Sequence, residues 1–142
     1  METTDARSTI AELARLLEAE GKVKTSFLKA VLEREAEFPT GLPTPGAAIA
    51  IPHADPQHCI EPAVAVGILK NPVGFAEMGS PQSTLDVRIV FLLSVTRPED
   101  HVEWLSKLAS AFQNPQFAQR LLEAKSPPQA CNLLRNGIEA PT

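Results

Sequence analysis

The chain has 142 residues, of which 44% are hydrophobic and 21% charged, as in an ordinary soluble protein of one domain. Its formal net charge of −4 argues against nucleic-acid binding, which relies on clustered lysine and arginine. No apolar run approaches the roughly 20 residues of a membrane span, so we expect no direct membrane insertion. We predict a single domain over residues 1–142.

The cysteines and the N-terminus indicate the cellular compartment. Cys59 and Cys131 lack the spacing of a metal site, and residues 1–8 lack the apolar core of a signal peptide. We therefore expect reduced thiols and a cytoplasmic protein.

Two helices are predicted first in the chain. The first is capped by Ser8 or Thr9 and stops at Gly21, since apolar residues between them recur at helical spacing. The second begins at Thr25 or Ser26 and runs to about Glu37, before a proline.

The middle of the chain predicts strands. Residues 38–46 contain three prolines and two glycines, which exclude regular structure. Short apolar runs at 48–51 and 63–69 have strand length, and a turn-rich stretch over 72–81 follows. The run at 85–95 becomes continuously apolar, as in a central strand that is buried on both faces.

Three further helices are predicted after the last strand. The first is capped by Asp100, with Val102 in its buried stripe, and the others cover 117–124 and 128–135. Strands flanked and separated by helices indicate an α/β sandwich of layers.

His53 is the leading candidate for chemistry. It follows the strand at 48–51 through Pro52, at the rim of the predicted sheet. A neutral imidazole can attack phosphorus through a ring nitrogen, and a helix N-terminus, where His101 lies, favours anions. If the strands ending at Ile51 and Val95 are adjacent and parallel, His53 and His101 emerge at one edge and converge.

Other polar residues are weaker candidates. His58 lies in a polar turn typical of solvated histidines, and zinc binding by His53, His58 and Asp55 stays open although no H-E-x-x-H motif is present. Arg34 can be a solvated residue or can reach a phosphate. Thr40, in a stiff Pro-Thr-Gly turn, can supply a hydroxyl near His53. The absence of a P-loop argues against a nucleotide-binding kinase.

These residues together resemble the enzyme IIA component of the sugar phosphotransferase system, in its mannitol and fructose class. The segments that carry the resemblance are Arg34-Glu35, Pro39-Thr40-Gly41, Gly46, Ile49-Ala50-Ile51-Pro52-His53-Ala54 and the helix opened by His101. The similarity spans nearly the whole chain, and Arg-Glu-Ala-Glu-Phe-Pro-Thr-Gly looks most like the galactitol-type branch.

The resemblance implies a mixed central sheet with helices on both sides and a phosphoryl carrier that needs no metal or cofactor. It implies that His53 takes a phosphoryl group on Nε2 from the carrier protein HPr and passes it to a cysteine of a IIB partner, which serves the membrane transporter IIC. His101 and Arg34 match the family's second histidine and its arginine. An apolar collar for docking would include Leu42, Ile60 and Phe75.

Three alternatives remain open. A regulatory IIA protein would be phosphorylated without serving sugar uptake. A zinc-dependent hydrolase would use His53, His58 and Asp55. A degenerate interaction module would catalyse nothing.

Overall fold

The computed structural model describes residues 2–139 of the chain, with side chains through Leu134. Two helices precede the four strands of a sheet and three helices follow them, and the helices cover both sides of the sheet, which confirms the predicted α/β sandwich. Over the described residues, the helices are α1 (Ala6–Ala19), α2 (Phe27–Glu37), α3 (Pro98–Ala111), α4 (Pro115–Leu122) and α5 (Pro127–Glu139), and the strands are β1 (Gly41–Leu42), β2 (Ala48–Ala50), β3 (Ala63–Glu77) and β4 (Ser80–Ser94).

The sheet is mixed, and its strand order is β1-β2-β4-β3. β1 is antiparallel to β2, and β3 is antiparallel to β4. β1 also meets the far end of β3 through the single pair Gly41 and Glu77. β2 and β4 are adjacent and parallel, so the residues that follow them leave the sheet at the same edge.

A hydrophobic core lies on each side of the sheet, and β4 supplies both. Val90 and Leu92 face the core covered by α1 and α2. Ile89, Phe91 and Leu93 face the core covered by α3, α4 and α5. Because successive strand residues point to opposite faces, a strand that is covered on both sides reads as a continuous apolar run. The predicted central strand and the helices on both sides of the sheet are confirmed.

The turn-rich stretch predicted over 72–81 is wrong. β3 continues through it to Glu77, and β4 returns from Ser80 after a tight turn at Gly79, whose φ is +80°. The ladder between β3 and β4 shifts register between Ile68 and Val73, next to Pro72, and again beside the turn. Proline lacks a donor N–H but is tolerated at such irregularities, so these strands are not interrupted.

Two predicted helix caps are also wrong. Asp5, rather than Ser8 or Thr9, caps α1, and its carboxylate accepts a hydrogen bond from the Ser8 N–H at 2.7 Å. Arg97 precedes α3, and Asp100 lies inside the first turn, where its carboxylate is 3.0 Å from the Arg97 guanidinium. In both places the helix starts earlier than its apolar pattern indicates.

The proline-rich loop after α2 differs from its prediction. Residues 38–46 contain the two-residue strand β1, although we predicted no regular structure there.

None of the helices in the described part of the chain is long and apolar enough to cross a membrane. Cys59 and Cys131 are both free thiols.

Candidate functional site

His53 is held rigidly where β2 ends. The Pro52 carbonyl accepts a hydrogen bond from the Leu93 N–H of β4 at 3.1 Å. The backbones of His53 and Leu93 form an isolated parallel β-bridge. The chain can therefore leave the sheet at Pro52 without losing its attachment to the central strand. The half-buried imidazole sits on this rigid support.

The hydrogen bond of the imidazole determines its tautomer. His53 Nδ1 lies 2.9 Å from the Ile51 carbonyl oxygen. Since a carbonyl can only accept, Nδ1 carries the proton and Nε2 keeps a free lone pair. Burial lowers the pKa of His53 from 6.5 to about 4, helped by the nearby His101 and Arg34 and opposed by the Ile51 carbonyl and Asp55. The ring is therefore neutral at physiological pH.

His101 lies beside His53, as the parallel strands predict. It occupies the fourth position of α3, and the centroids of the two imidazole rings are 4.3 Å apart with a tilt of 37°. Burial lowers the pKa of His101 as well, with a further contribution from Arg34. The predicted convergence of the two histidines is confirmed.

Arg34 joins the histidines at the same cavity. It projects from α2, and it lines a cavity of about 240 Å³ together with both imidazoles. Its Nη1 atom is 3.4 Å from Asp55 Oδ1, and its Cζ atom is 5.5 Å from the centre of the Phe38 ring. Its positive charge, at the same cavity, lowers the pKa of both histidines.

Two buried nitrogen atoms at this cavity lack a hydrogen-bond partner. Across the described residues, Arg34 Nε and His101 Nε2 are the buried side-chain polar atoms without one. Leaving such a group unpaired costs about 1–3 kcal/mol, and more for a charged group. Both residues line the cavity that holds His53. An oxyanion bound in the cavity would supply an acceptor for the Arg34 Nε–H, and for His101 Nε2 when that nitrogen carries a proton.

Thr40 also lines the cavity, but its hydroxyl is already engaged. Its Oγ1 donates to Glu35 Oε1 at 2.8 Å and accepts from the Ile51 N–H at 3.1 Å. Its own N–H donates to Glu35 Oε2 at 2.9 Å. The hydroxyl proton that we expected near His53 therefore points to a carboxylate. Glu35 was not predicted as a site residue, although it directly follows Arg34 in the segment that carries the family resemblance.

The zinc site considered from the sequence is wrong. His58 Nδ1 is 2.8 Å from the Ser26 hydroxyl at the start of α2, and His58 does not line the cavity of His53. No group of three or more histidine, cysteine, aspartate or glutamate side chains is placed to hold a metal ion among the residues that the structure describes.

The rim of the cavity is apolar, but its members differ from those expected. Phe75 is 2% exposed and belongs to a core, Leu42 packs against the other core, and Ile60 does not line the cavity. Instead, Phe38, Met78 and Val102 line it, and these side chains are 56%, 36% and 70% exposed. Val102 was predicted in the buried stripe of α3, and that prediction is wrong. From here on, the apolar collar means Phe38, Met78 and Val102.

Comparisons with known proteins agree with this geometry. The sequence profile described as "Phosphoenolpyruvate-dependent sugar phosphotransferase system, EIIA 2" matches residues 1–137. The fructose-specific EIIABC component of Bacillus subtilis is 31% identical over 89% of the chain, which spans only 19% of that relative's length. The galactitol-specific EIIA component of Escherichia coli is 29% identical over 83% of the chain and 78% of the relative.

A solved structure shows the same fold. In the complex of enzyme IIAMTL and phosphorylated enzyme IIBMTL from Escherichia coli, the similar chain has a TM-score of 0.79 and 21% identity, over 96% of this chain and 91% of that one. The architecture thus agrees with the match of the family profile along the sequence. The chain therefore belongs to the EIIA type 2 family of the phosphoenolpyruvate-dependent sugar phosphotransferase system and is one of its phosphotransferase components.

Proposed function

We propose that residues 1–142 act as one phosphoryl carrier domain, which takes a phosphoryl group on His53 Nε2 from the phosphohistidine of HPr and passes it to a cysteine of a IIB component. The observation that carries this proposal is the pair of unpartnered buried nitrogens, Arg34 Nε and His101 Nε2, at the cavity of His53. A phosphoryl group on His53 Nε2 would bring an oxygen acceptor to the Arg34 Nε–H, and it would favour a proton on His101 Nε2 that binds a second oxygen.

The chemistry needs an in-line nucleophile and groups that stabilise the equatorial oxygens. The Nε2 lone pair of His53 forms a new N–P bond while the N–P bond of the donor breaks, and that electron pair returns to the donor histidine. Arg34 supplies positive charge, and His101 supplies an N–H donor once its Nε2 takes up a proton, which the negative charge of a phosphoryl group beside it favours. In the second step a IIB thiolate forms an S–P bond, and the departing electron pair restores the lone pair on Nε2.

Both partners must reach His53 in turn, and the surface around it suits this. Exposed aromatic and aliphatic side chains at the apolar collar offer area that a partner can cover, as in the cores of protein interfaces. Through IIB, the phosphoryl group would reach a sugar during uptake by the membrane transporter IIC. We place this chain on the cytoplasmic side of that transporter.

The sugar is proposed from the names of relatives. The galactitol-specific EIIA component matches this chain over most of both lengths, which favours a galactitol-type substrate. The fructose-specific relative makes fructose the second candidate. Radiolabelled uptake by a transport-deficient strain that carries this chain with its IIB and IIC partners would separate the two.

Labelling with phosphoenolpyruvate, the first carrier enzyme and HPr tests the carrier role. We expect one acid-labile phosphoryl group on the wild-type chain, none on His53→Ala, and unchanged labelling of His58→Ala, which alters a histidine outside the cavity. Full labelling of His53→Ala would refute the assignment. If the labelled chain does not transfer to its IIB partner, the regulatory alternative replaces transport.

A further inference from the structure

Glu35 is a partly buried carboxylate that the phosphoryl transfer described above does not use. Both of its oxygens are engaged by one residue, since Oε2 accepts from the Thr40 N–H at 2.9 Å and Oε1 accepts from the Thr40 hydroxyl at 2.8 Å. Burial raises the pKa of Glu35, and these two hydrogen bonds oppose the rise. Removing a carboxylate from water costs free energy, so its presence here calls for an explanation beyond packing.

The hydrogen bonds continue from Thr40 to the reactive imidazole. The Ile51 N–H donates to Thr40 Oγ1 at 3.1 Å, and the Ile51 carbonyl accepts from His53 Nδ1 at 2.9 Å. Ile51 is 1% exposed, so neither of these backbone groups can exchange its partner for bulk water. The position of the Ile51 carbonyl is therefore linked to Glu35 through Thr40.

The direction of each hydrogen bond follows from the chemistry of the groups. The Ile51 N–H can only donate, so the Thr40 oxygen must accept from it. The single hydroxyl proton of Thr40 is then free for another acceptor, and a carboxylate is the strongest one available. Glu35 thus keeps the hydroxyl turned so that its lone pairs face Ile51.

From this arrangement we propose that Glu35 is a positioning residue for His53. It holds Thr40 as the acceptor for the Ile51 N–H, so that the Ile51 carbonyl stays aimed at Nδ1 and the lone pair of His53 stays on Nε2. This inference rests on the proposed phosphoryl chemistry, because only a nucleophile on Nε2 needs that tautomer. Neighbouring residues of α2 then act differently at one site: Arg34 stabilises the phosphoryl group, and Glu35 positions His53.

The test combines three variants with a matched control. Glu35→Gln replaces one acceptor oxygen by a donor NH₂, and Thr40→Val removes the hydroxyl but keeps the shape. Thr40→Ser keeps the hydroxyl and should rescue the function. Glu33→Gln changes an exposed glutamate on the same helix, and Oε1 of this glutamate lies 4.0 Å from Lys29 Nζ.

Two measurements are made on each protein. Nitrogen-15 NMR of the histidine rings reports the tautomer of His53, and rapid-quench labelling reports the rate of phosphoryl uptake from phospho-HPr. We expect Glu35→Gln and Thr40→Val to populate the Nε2–H tautomer and to slow uptake by about tenfold or more, with little change in the apparent affinity for phospho-HPr. Thr40→Ser and Glu33→Gln should behave like the wild type.

A wild-type tautomer and rate in Glu35→Gln would overturn the proposal, and so would an equal loss in Glu33→Gln. If Glu35→Gln does not fold, the comparison of Thr40→Val with Thr40→Ser decides, and equal defects in these two would also overturn it. The NMR measurement needs no phosphoryl donor. A wild-type chain that is not phosphorylated would therefore refute the proposed function while the tautomer result is still read independently.

Discussion

The buried neutral imidazole of His53 makes the stability of the protein depend on pH in a defined direction. Burial lowers the pKa of His53 from 6.5 to about 4. Between these values the unfolded chain binds a proton at this position and the folded chain does not. The stabilising contribution is therefore complete above pH 6.5, and it is lost as the pH falls to 4.

The size of this effect follows from the two pKa values. A gap of about 2.5 pH units, at about 1.36 kcal/mol for each, corresponds to about 3 kcal/mol over the whole window. Most of that loss is reached by pH 4.5. A change of this size is a large fraction of the stability of an ordinary domain.

Urea unfolding of the wild type and of His53→Gln between pH 7 and pH 4.5 measures this contribution. The pKa of His101 is also lowered and that of Glu35 is raised, but both groups are present in the two proteins, so their effects largely cancel in the comparison. We expect the wild type to lose about 2–3 kcal/mol more than the variant. Parallel pH curves for the two proteins would refute a buried neutral His53.

Three substitutions at the cavity carry further predictions. His101→Ala should slow phosphoryl uptake by about a hundredfold with the fold intact, because one donor to the phosphoryl oxygens is lost, and an unchanged rate in a rapid-quench assay would remove His101 from the site. Arg34→Gln should raise the pKa of both histidines in an NMR titration, since its charge lowers them now; unmoved titration curves would contradict this. Asp55→Asn should free the guanidinium from its 3.4 Å ion pair and tighten the binding of inorganic phosphate, as measured by NMR titration of His53, whereas weaker binding would show that Asp55 assists the site.

The sheet and the meeting of the histidines could be predicted because each leaves a local pattern. The continuous apolar run at 85–95 indicates a strand covered on both faces, and both cores do draw on it. Pro52-His53 marks the end of one strand, and His101 follows the end of another. Once those strands are parallel neighbours, the two rings must leave the sheet at one edge.

The rim and the supporting contacts could not be predicted because they depend on the path of the loops. Pro72 and Pro81 suggested turns, so the long hairpin that brings Met78 to the cavity was missed. Phe38 reads as part of a loop, and only the fold shows it exposed beside Arg34. The hydrogen bonds between Glu35 and Thr40 depend on how the chain bends after α2, and the sequence of that bend has no periodic pattern.

Assignment of the phosphorylated atom tests the central claim most directly. Phosphorus-31 and nitrogen-15 NMR of the wild-type chain, after labelling through HPr, identify which histidine and which ring nitrogen carries phosphorus. We predict a single phosphoramidate at Nε2 of His53, with Nδ1 still protonated and hydrogen-bonded to the Ile51 carbonyl. Phosphorus on Nδ1 of His53, or on any other residue, would contradict this assignment.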